Sequence, residues 1–176
     1  MIVLVGESAS GKSSIEKNLV DKYRYNKIVS YTTRQPRDGE VDGTDYHFID
    51  TKRFNELKEA GFFAENACYN GWQYGVAKED CTDDKVAVLT PHGLRQVSKI
   101  PEINITSFYI NVPRRDRLIK ILQRGDSIEE AYRRNVSDVG MFDGIEDEVD
   151  YVIHNDEYKK SIEKITNEIL NIINNK

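Results

Sequence analysis

Near its start the chain reads Gly6-Glu7-Ser8-Ala9-Ser10-Gly11-Lys12-Ser13, directly after the short apolar run Ile2–Val5. The segment fits the pattern G-x-x-x-x-G-K-[ST], and a helical pattern follows it. Glycines at its two ends let the backbone curl so that successive N–H groups point at a phosphate chain. The positive end of the helix dipole strengthens that field. A strand, a phosphate-binding loop and a helix in this order predict a site for a nucleoside triphosphate.

Two side chains of the loop have specific predicted tasks. Lys12 can reach the β- and γ-phosphates, and the hydroxyl of Ser13 is placed to ligate magnesium. A glycine-rich turn with a solvated lysine is the simpler alternative. The strand before the loop and the helix after it argue against that alternative.

The rest of the chain alternates between strand-like and helical segments. Strands are predicted at Ile2–Val5, Ile28–Tyr31, Val86–Thr90, Ile105–Asn111 and Val149–Ile153. Helices are predicted at Ser13–Tyr25, Leu94–Ile100, Arg114–Arg124, Ile128–Asp138 and Tyr158–Asn174. The alternation predicts an α/β fold, with a parallel core sheet of five strands and helices on both faces.

One region, residues 32–81, interrupts this alternation. It carries a predicted strand at Tyr46–Ile49, a helix at Thr51–Ala60 and a strand at Phe62–Tyr69. Asn70-Gly71 then predicts a hairpin turn, because both central residues of such a turn have positive φ. We expect a small β-rich insertion between the second and third core strands.

Length and composition restrict the class of protein. The chain has 176 residues, of which 39% are hydrophobic and 31% charged, as expected for a single globular domain. No apolar run approaches the ~20 residues of a membrane helix. The two cysteines do not suggest a disulfide framework, so we expect a cytoplasmic protein. The net charge of −5 argues against nucleic-acid or anionic-membrane partners, so positive charge for phosphates must be local.

The loop alone does not identify the class of enzyme. A GTPase would offer Asn-Lys-x-Asp after a strand, but Asn26-Lys27-Ile28-Val29 lacks the aspartate. A motor protein or ATPase would place an acidic residue at the end of a core strand, but Val86–Leu89 runs into Thr90-Pro91. A small nucleotide or metabolite kinase remains, and it needs a second pocket for the phosphate acceptor.

The segment from Ser30 to Phe48 contains residues suited to an acceptor. Arg34 and Arg37 lie three positions apart on a turn, so both can bind one phosphate through forked hydrogen bonds. Tyr46 offers a rigid hydroxyl for the same anion. Taken alone, these residues fit a solvated basic turn beside a core tyrosine better than a binding site.

In its full pattern, however, this segment resembles guanylate kinases. Thr-Thr-Arg-x-x-Arg-x-x-Glu-x-x-Gly-x-x-Tyr-x-Phe is matched at every specified position from Thr32 to Phe48. The expected order continues with Phe62–Glu65, Tyr74-Gly75, Leu122–Gly125 and Tyr151–Asp156. The resemblance implies the P-loop nucleoside monophosphate kinase fold. Its core would comprise residues 1–31, 82–123 and 141–176, with an NMP-binding insertion at 32–81 and a small helical lid at about 124–140.

The resemblance also implies the reaction. ATP would phosphorylate GMP or dGMP to GDP or dGDP, with Mg²⁺ as cofactor and the two nucleotides as the partners. Contacts to ATP are implied at Gly6, Glu7, Ser8, Ala9, Ser10, Gly11, Lys12, Ser13, Ser14 and Asn155. Ser13 is the implied metal ligand. No general base is needed, because a phosphate oxygen of the acceptor is already an ionised nucleophile.

The implied catalytic cations are Lys12, Arg124 and Arg134. Arg124 resembles a lid arginine that closes over the transferred phosphoryl group. The family's usual register for a second lid arginine falls on Asn135, so Arg133 and Arg134 are both candidates, and we assign Arg134. Asn155 resembles a residue near the adenine of ATP, and a simple strand-ending turn explains it equally well.

The implied contacts to GMP are Ser30, Arg34, Arg37, Tyr46, Glu65, Tyr74 and Thr90. The two arginines and two tyrosines would hold the phosphate, while Ser30 and Glu65 would face the guanine. Two departures affect base reading. The family's Asp-x-Asp-x-Gln-Gly is Val88–Gly93 here, with Thr90 at the second carboxylate position, and Val76 replaces a usual Ser or Thr.

These departures leave two alternatives open. The first is a related kinase whose acceptor carries another base, such as another purine monophosphate. The second is a non-catalytic guanylate-kinase-like module that binds a protein. The intact Gly11-Lys12-Ser13 argues against the module, since such modules lose phosphate-loop residues.

Overall fold

A computed structural model of the chain describes residues 1–69 and 71–175. In chain order its strands and helices are β1 (Ile2–Val5), α1 (Lys12–Lys22), β2 (Asn26–Lys27), β3 (Tyr31–Thr32), β4 (His47–Phe48), α2 (Thr51–Glu59), β5 (Phe63–Tyr69), β6 (Trp72–Ala77), β7 (Lys85–Val88), α3 (Pro91–Val97), β8 (Thr106–Asn111), α4 (Arg114–Gln123), α5 (Ile128–Asp138), β9 (Tyr151–His154) and α6 (Ile162–Asn174). Short 3₁₀ turns lie at Lys78–Asp80, Ile145–Asp147 and Asp156–Tyr158.

The core is a parallel sheet of five strands in the order β2-β7-β1-β8-β9. β1 lies at its centre and is buried along its whole length. Leu4 pairs with Val88 of β7 on one side and with Phe108 of β8 on the other. The prediction of an α/β fold with a five-stranded parallel sheet is confirmed. Because β1 is central, the loop that follows it emerges in the middle of the sheet's carboxyl edge.

Helices cover both faces of this sheet, as the alternation of side chains along β1 requires. One buried cluster joins Val3 and Val5 to Leu94 and Val97 of α3. The other joins Ile2 and Leu4 to residues of α1 and α6: Ile15, Leu19, Ile165 and Ile169. The burial of these apolar faces fixes the orientation of the central strand.

A second sheet, in the order β4-β3-β6-β5, is formed by Tyr31 and by residues of the predicted insertion. β5 and β6 pair antiparallel, with Tyr69 opposite Trp72, so these strands form the predicted hairpin. Asn70 of the predicted turn lies outside the described residues. The ends of the insertion at 32 and 81 remain a prediction.

The second core strand was predicted wrongly. Instead of one strand at Ile28–Tyr31, Asn26–Lys27 pairs with β7 in the core sheet and Tyr31–Thr32 pairs in the second sheet. Ile28 is buried between these two strands, and its apolar side chain is typical of a strand residue. β2 is an exposed edge strand of polar residues, so apolar character does not mark it.

Two helices begin at caps that differ from the predicted starts. α3 begins at Pro91, because the Thr90 side chain caps it by accepting from the Gly93 N–H. α6 begins at Ile162, capped by Ser161, and Tyr158 before it has a left-handed φ of 53°. Within residues 1–69 and 71–175, no helix has both the length and the apolar character needed to cross a membrane.

Candidate active site

The phosphate loop connects the end of β1 to the start of α1. Gly6 is required by close approach, because a Cβ there would lie 2.8 Å from the Ile110 carbonyl oxygen. Gly11 is the N-cap residue of α1, so the helix begins at Lys12. The loop therefore lies against β8 on one side and presents the N-terminus of α1 on the other, the arrangement that binds anions.

Lys12 folds back over this loop. Its Nζ donates to the Glu7 carbonyl oxygen at 2.8 Å and to Ser10 Oγ at 3.3 Å. Burial lowers the pKa of Lys12 to about 8, although the carboxylates of Asp138 and Glu7 counteract part of this effect. The side chain is therefore mostly a cation at neutral pH, held where phosphates would approach the loop.

A cavity of about 540 Å³ opens above the loop, and we call it the loop cavity. It brings together most of the residues predicted to contact ATP, namely Ser8, Ala9, Ser10, Gly11, Lys12, Ser13, Ser14 and Asn155, and the two predicted catalytic arginines, Arg124 and Arg134. Gly6 and Glu7 are not among its lining residues. Lys120, Tyr158, Lys160, Ser161 and Ile162 also line it.

The lid arginines differ in where they point. Arg124 and Arg134 line the loop cavity, whereas Arg133 does not. Arg134 Nε donates to Glu130 Oε1 at 2.7 Å, and Arg133 forms two hydrogen bonds with the same carboxylate. These bonds lower the pKa of Glu130 to about 2. Asn135 lines an adjacent cavity with Glu7. Of the two candidates, only Arg134 lines the loop cavity, and its role as the second lid cation remains a prediction.

Asn155 is buried, and its amide is already engaged. Nδ2 donates to the Lys160 carbonyl oxygen at 3.2 Å, and Oδ1 accepts from the Lys160 N–H at 2.8 Å. These bonds close the turn between β9 and α6, as the alternative of a strand-ending turn requires. A contact between Asn155 and adenine remains a prediction.

Lys120 and Tyr158 are among the five residues of the loop cavity that sequence reasoning missed. Lys120 lies one turn before Arg124 on α4, and its Nζ is 5.6 Å from the centre of the Tyr158 ring. The four-residue spacing from Arg124 is a signal that could have found it. The Tyr158 hydroxyl donates to the Ala9 carbonyl oxygen at 3.0 Å. This contact spans most of the chain length and has no sequence signal.

A second cavity of about 720 Å³ lies between the two sheets, and we call it the inter-sheet cavity. It brings together five residues predicted to contact GMP: Ser30, Tyr46, Glu65, Tyr74 and Thr90. Its other lining residues are Asn66, Ala67, Cys68, Val88, Leu89, His92 and Met141. β7, which leads to Thr90, pairs with β1, which leads to the phosphate loop. Both cavities therefore open at the carboxyl edge of the core sheet.

Glu65 is a buried carboxyl group in the wall of the inter-sheet cavity, with 7% of its surface exposed. Burial raises its pKa to about 7. Gly93 makes room for it, since a Cβ there would lie 3.0 Å from Glu65 Oε2. When ionised, Glu65 is a strong hydrogen-bond acceptor. A ligand with two adjacent donors can offset the free-energy cost of burying its charge.

Thr90 is the N-cap residue of α3, and its hydroxyl can both accept and donate a hydrogen bond. Its Oγ accepts from the Gly93 N–H at 3.1 Å and so caps the helix. A hydroxyl also carries one donor, which this cap leaves unused. Thr90 can therefore donate a hydrogen bond into the inter-sheet cavity, where an aspartate would accept one.

The arginine turn lies beside this cavity and outside its lining. Arg34 is buried, donates to Glu40 Oε1 at 2.8 Å, and stacks 5.4 Å from the centre of the Tyr46 ring. Hydrogen bonds with Glu40 and Tyr74 raise the pKa of Arg34. Arg37 has an exposed side chain, and its backbone N–H donates to Glu40 Oε2. Glu40 therefore holds the turn, and Arg34 is the arginine oriented towards the cavity tyrosines.

Comparisons with known proteins agree with this arrangement. The model of the guanylate kinase family matches residues 1–172. A guanylate kinase of Nitratidesulfovibrio vulgaris is 39% identical over 145 residues, which cover 78% of this chain and 70% of that protein. One of Trichormus variabilis is 34% identical over 174 residues, covering 94% and 86%.

Solved structures show the same similarity. The crystal structure of guanylate kinase from Anaplasma phagocytophilum matches with a TM-score of 0.68 and 27% sequence identity, and the match covers 98% of this chain and 84% of that one. The fold is thus that of the P-loop nucleoside monophosphate kinases. Since the family model covers almost the whole sequence, this chain belongs to the guanylate kinase family.

Proposed function

We propose that this chain is an ATP:GMP phosphotransferase, which converts ATP and GMP or dGMP to ADP and GDP or dGDP. The observation that carries the proposal is the pair of cavities at one edge of the core sheet. One is lined by Lys12, Arg124 and Arg134 around a phosphate loop, and the other holds the buried carboxyl of Glu65. A phosphoryl donor and a guanine-bearing acceptor need these two chemistries side by side.

The loop cavity would bind the phosphates of ATP and neutralise their charge. An ionised oxygen of the GMP phosphate attacks the γ-phosphorus of ATP. The bond from that phosphorus to the β–γ bridging oxygen breaks, and ADP leaves with the electron pair. Such transfers depend on positioning and charge stabilisation, which the loop N–H groups, Lys12 and the two lid arginines supply.

The residues of the loop cavity also fit magnesium. Mg²⁺ at such sites is held by one or two protein oxygens together with substrate phosphates and water. The Ser13 hydroxyl, exposed at the start of α1 and facing the loop cavity, is the protein oxygen that would hold it. When bound, the ion neutralises charge on the phosphates of ATP.

The inter-sheet cavity would read the base of the acceptor. Guanine presents two adjacent donors, N1–H and the exocyclic amine, and ionised Glu65 can accept both. The Thr90 hydroxyl can donate to an acceptor atom of the same base. Adenine has no proton at N1 and would leave Glu65 buried and unpaired, so AMP is disfavoured.

The acceptor phosphate would be held by Arg34, Arg37, Tyr46 and Tyr74. Arg34 already lies against Tyr46 and is paired with Glu40 at 2.8 Å. An incoming phosphate would share the guanidinium with Glu40, because Arg has five N–H donors.

Cys68 and Cys81, both within the described residues, are free thiols, so we place the activity in the reducing cytoplasm.

The deciding experiment is a coupled assay of ADP release with GMP, dGMP, IMP and AMP as acceptors. We expect GMP and dGMP to give the highest kcat/KM and AMP the lowest. A kinase with another acceptor base would give its highest kcat/KM with IMP or AMP. A non-catalytic module that binds a protein would give no turnover with any of the four acceptors.

A further inference from the structure

A carboxylate at the end of the lid helix contacts the phosphate loop. Asp138, the last residue of α5, accepts from the Ser8 N–H at 2.9 Å and from Ser8 Oγ at 3.3 Å. Its side chain is 12% exposed, so these bonds are largely shielded from water. The two residues are 130 positions apart in the sequence. The contact joins the lid helix directly to the loop that would hold the phosphates of ATP.

Arg117 of α4 contacts both the lid helix and the phosphate loop at this junction. Its guanidinium donates to Asp138 Oδ2 and to Glu7 Oε1, both at 3.3 Å, and to the Val112 carbonyl oxygen at 3.0 Å. The Tyr109 hydroxyl donates to the other oxygen of Glu7 at 3.0 Å. The buried arginine thus has its charge balanced by two carboxylates, one from the loop and one from the lid.

Apolar packing does little to hold α5 in place. The helix, all of whose residues the structure describes, buries only Ala131. Ile128, Tyr132 and Val136 are more than half exposed. With so little buried apolar surface, the orientation of α5 depends strongly on the polar contact at its C-terminal end.

Arg134 lies on α5, on the same face of the helix as Asp138. It lies four residues before Asp138, a spacing that places both side chains on the same side of a helix. Arg134 lines the loop cavity, and Asp138 contacts the loop itself. Anchoring the end of α5 therefore determines where the Arg134 guanidinium lies relative to bound phosphates.

We propose that Asp138 is a positioning residue, which anchors the lid helix to Ser8 and Arg117 so that Arg134 lies in the loop cavity. It acts through Arg134 and does not touch the substrate. The kinetic part of this inference rests on the proposed function. The competing view is that Asp138 is an internal anion that occupies the Ser8 N–H and competes with the phosphates of ATP.

Kinetic tests use Asp138→Ala and the milder Asp138→Asn, which keeps one oxygen for the Ser8 N–H. We expect kcat to fall at least tenfold for Asp138→Ala and less for Asp138→Asn, with the GMP KM changed less than twofold. Asp143→Ala removes an exposed carboxylate nearby and is the matched control, expected to keep normal turnover. A higher kcat or a lower ATP KM in Asp138→Ala would overturn the proposal in favour of competition.

A double-mutant cycle separates positioning from general damage. If Asp138 acts through Arg134, Asp138→Ala should lower kcat in the native protein but change it less than twofold in an Arg134→Ala background. Equal losses in both backgrounds would overturn the proposal. The conservative Asp138→Asn serves the same cycle if the alanine variant does not fold.

A second readout needs no activity. In the nucleotide-free protein, trypsin should cut after Arg133 or Arg134 at least five times faster in Asp138→Ala than in the native chain or Asp143→Ala, as mapped by mass spectrometry. Unchanged cutting would overturn the anchoring. If the native chain transfers phosphate to none of the four acceptors, the proposed function fails, while the trypsin result still decides whether Asp138 anchors the lid helix.

Discussion

The two cavities of this protein are built in opposite ways. The loop cavity is lined by cations and by a contiguous backbone segment, Ser8–Ser14, that follows one strand. The inter-sheet cavity is assembled from both sheets around a buried acid, Glu65. Phosphates need many donors at close range, which one loop and one helix end can supply. A base needs a few groups at specific angles, which distant segments must bring together.

The two sites therefore tolerate change differently. The loop pattern is complete, whereas Thr90, which lines the inter-sheet cavity, and Val76, which lies in the buried core, stand in place of the family's usual residues. Replacing a loop glycine would disturb the loop backbone. Replacing Thr90 would alter one hydrogen bond at the edge of the inter-sheet cavity. We therefore expect substitutions to alter substrate choice more readily than phosphate binding.

Removing the loop cation should have the largest effect. Lys12→Ala should lower kcat by about 10²- to 10³-fold, because a preorganised charge next to the transferred group is lost. Steady-state assays with GMP would measure it. Lys17→Ala, which removes an exposed lysine paired with Asp21 on the same helix, is the control and should be near normal. Near-normal turnover of Lys12→Ala would contradict the proposed role of the loop.

The pH profile should distinguish the two cavities. Glu65, with a pKa of about 7, must be ionised to accept from guanine, so kcat/KM for GMP should fall about tenfold per pH unit below 7, roughly a hundredfold by pH 5. Lys12, with a pKa of about 8, loses its charge above that value, so the alkaline limb reports the loop cavity.

Glu65→Gln separates these limbs. The other titratable side chains that line the inter-sheet cavity are Tyr46, Cys68, Tyr74 and His92. The variant should have low activity at all pH values and no acid limb at pH 5–7, since Gln does not titrate. An acid limb that persists in Glu65→Gln would assign it to another ionisable group, such as the phosphate of the acceptor.

The arginine turn should give an intermediate effect. Arg37→Ala should raise the GMP KM about tenfold, since a charged hydrogen bond contributes about 1.5–3 kcal/mol. The ATP KM should change less than twofold. Arg53→Ala, on the exposed surface of α2, is the matched control. A change in the ATP KM alone would mean that the turn serves the other substrate.

The smallest effect should come from the cap of α3. Thr90→Asp keeps the acceptor for the Gly93 N–H and adds an oxygen that can accept from the exocyclic amine of guanine. One such bond contributes about 0.5–1.5 kcal/mol, so preference for GMP over IMP should rise roughly two- to tenfold. Thr90→Ser, which keeps the hydroxyl, should leave the preference unchanged. A preference unaltered by Thr90→Asp would place Thr90 away from the base.

The fold could be predicted from local patterns because its main signals are local. The strand before the phosphate loop, the alternation along the chain and the Asn-Gly hairpin each act within about ten residues. The boundary between β2 and β3 could not be predicted. Ile28 is buried where the chain passes between the two sheets, and burial alone does not show which sheet a strand joins.

The candidate site could be predicted in part for the same reason. Most residues of the short motifs line the two cavities, but Arg34 and Arg37 do not, and that Arg134 rather than Arg133 lines the loop cavity depends on the orientation of α5. The pairing of Arg34 with Glu40 lies within the recognised pattern, yet its geometry needs the folded turn. The junction of Ser8, Arg117 and Asp138 joins three distant segments, and no spacing rule predicts it.

The buried acid of the inter-sheet cavity also links substrate to folding. In the unfolded chain the Glu65 pKa is near 4.5, and in the folded protein it is about 7, so the folded state binds the proton more tightly. Folding stability is therefore lost as pH rises from 4.5 through 7, by an upper limit of roughly 3 kcal/mol. A ligand that donates two hydrogen bonds to the ionised group offsets this cost. The nucleotide-free enzyme should thus melt earlier at pH 8 than at pH 5.5 because of this residue, and GMP should raise the melting temperature most where Glu65 is ionised. At neutral pH, binding of the acceptor should then stabilise the folded state of the site that binds it.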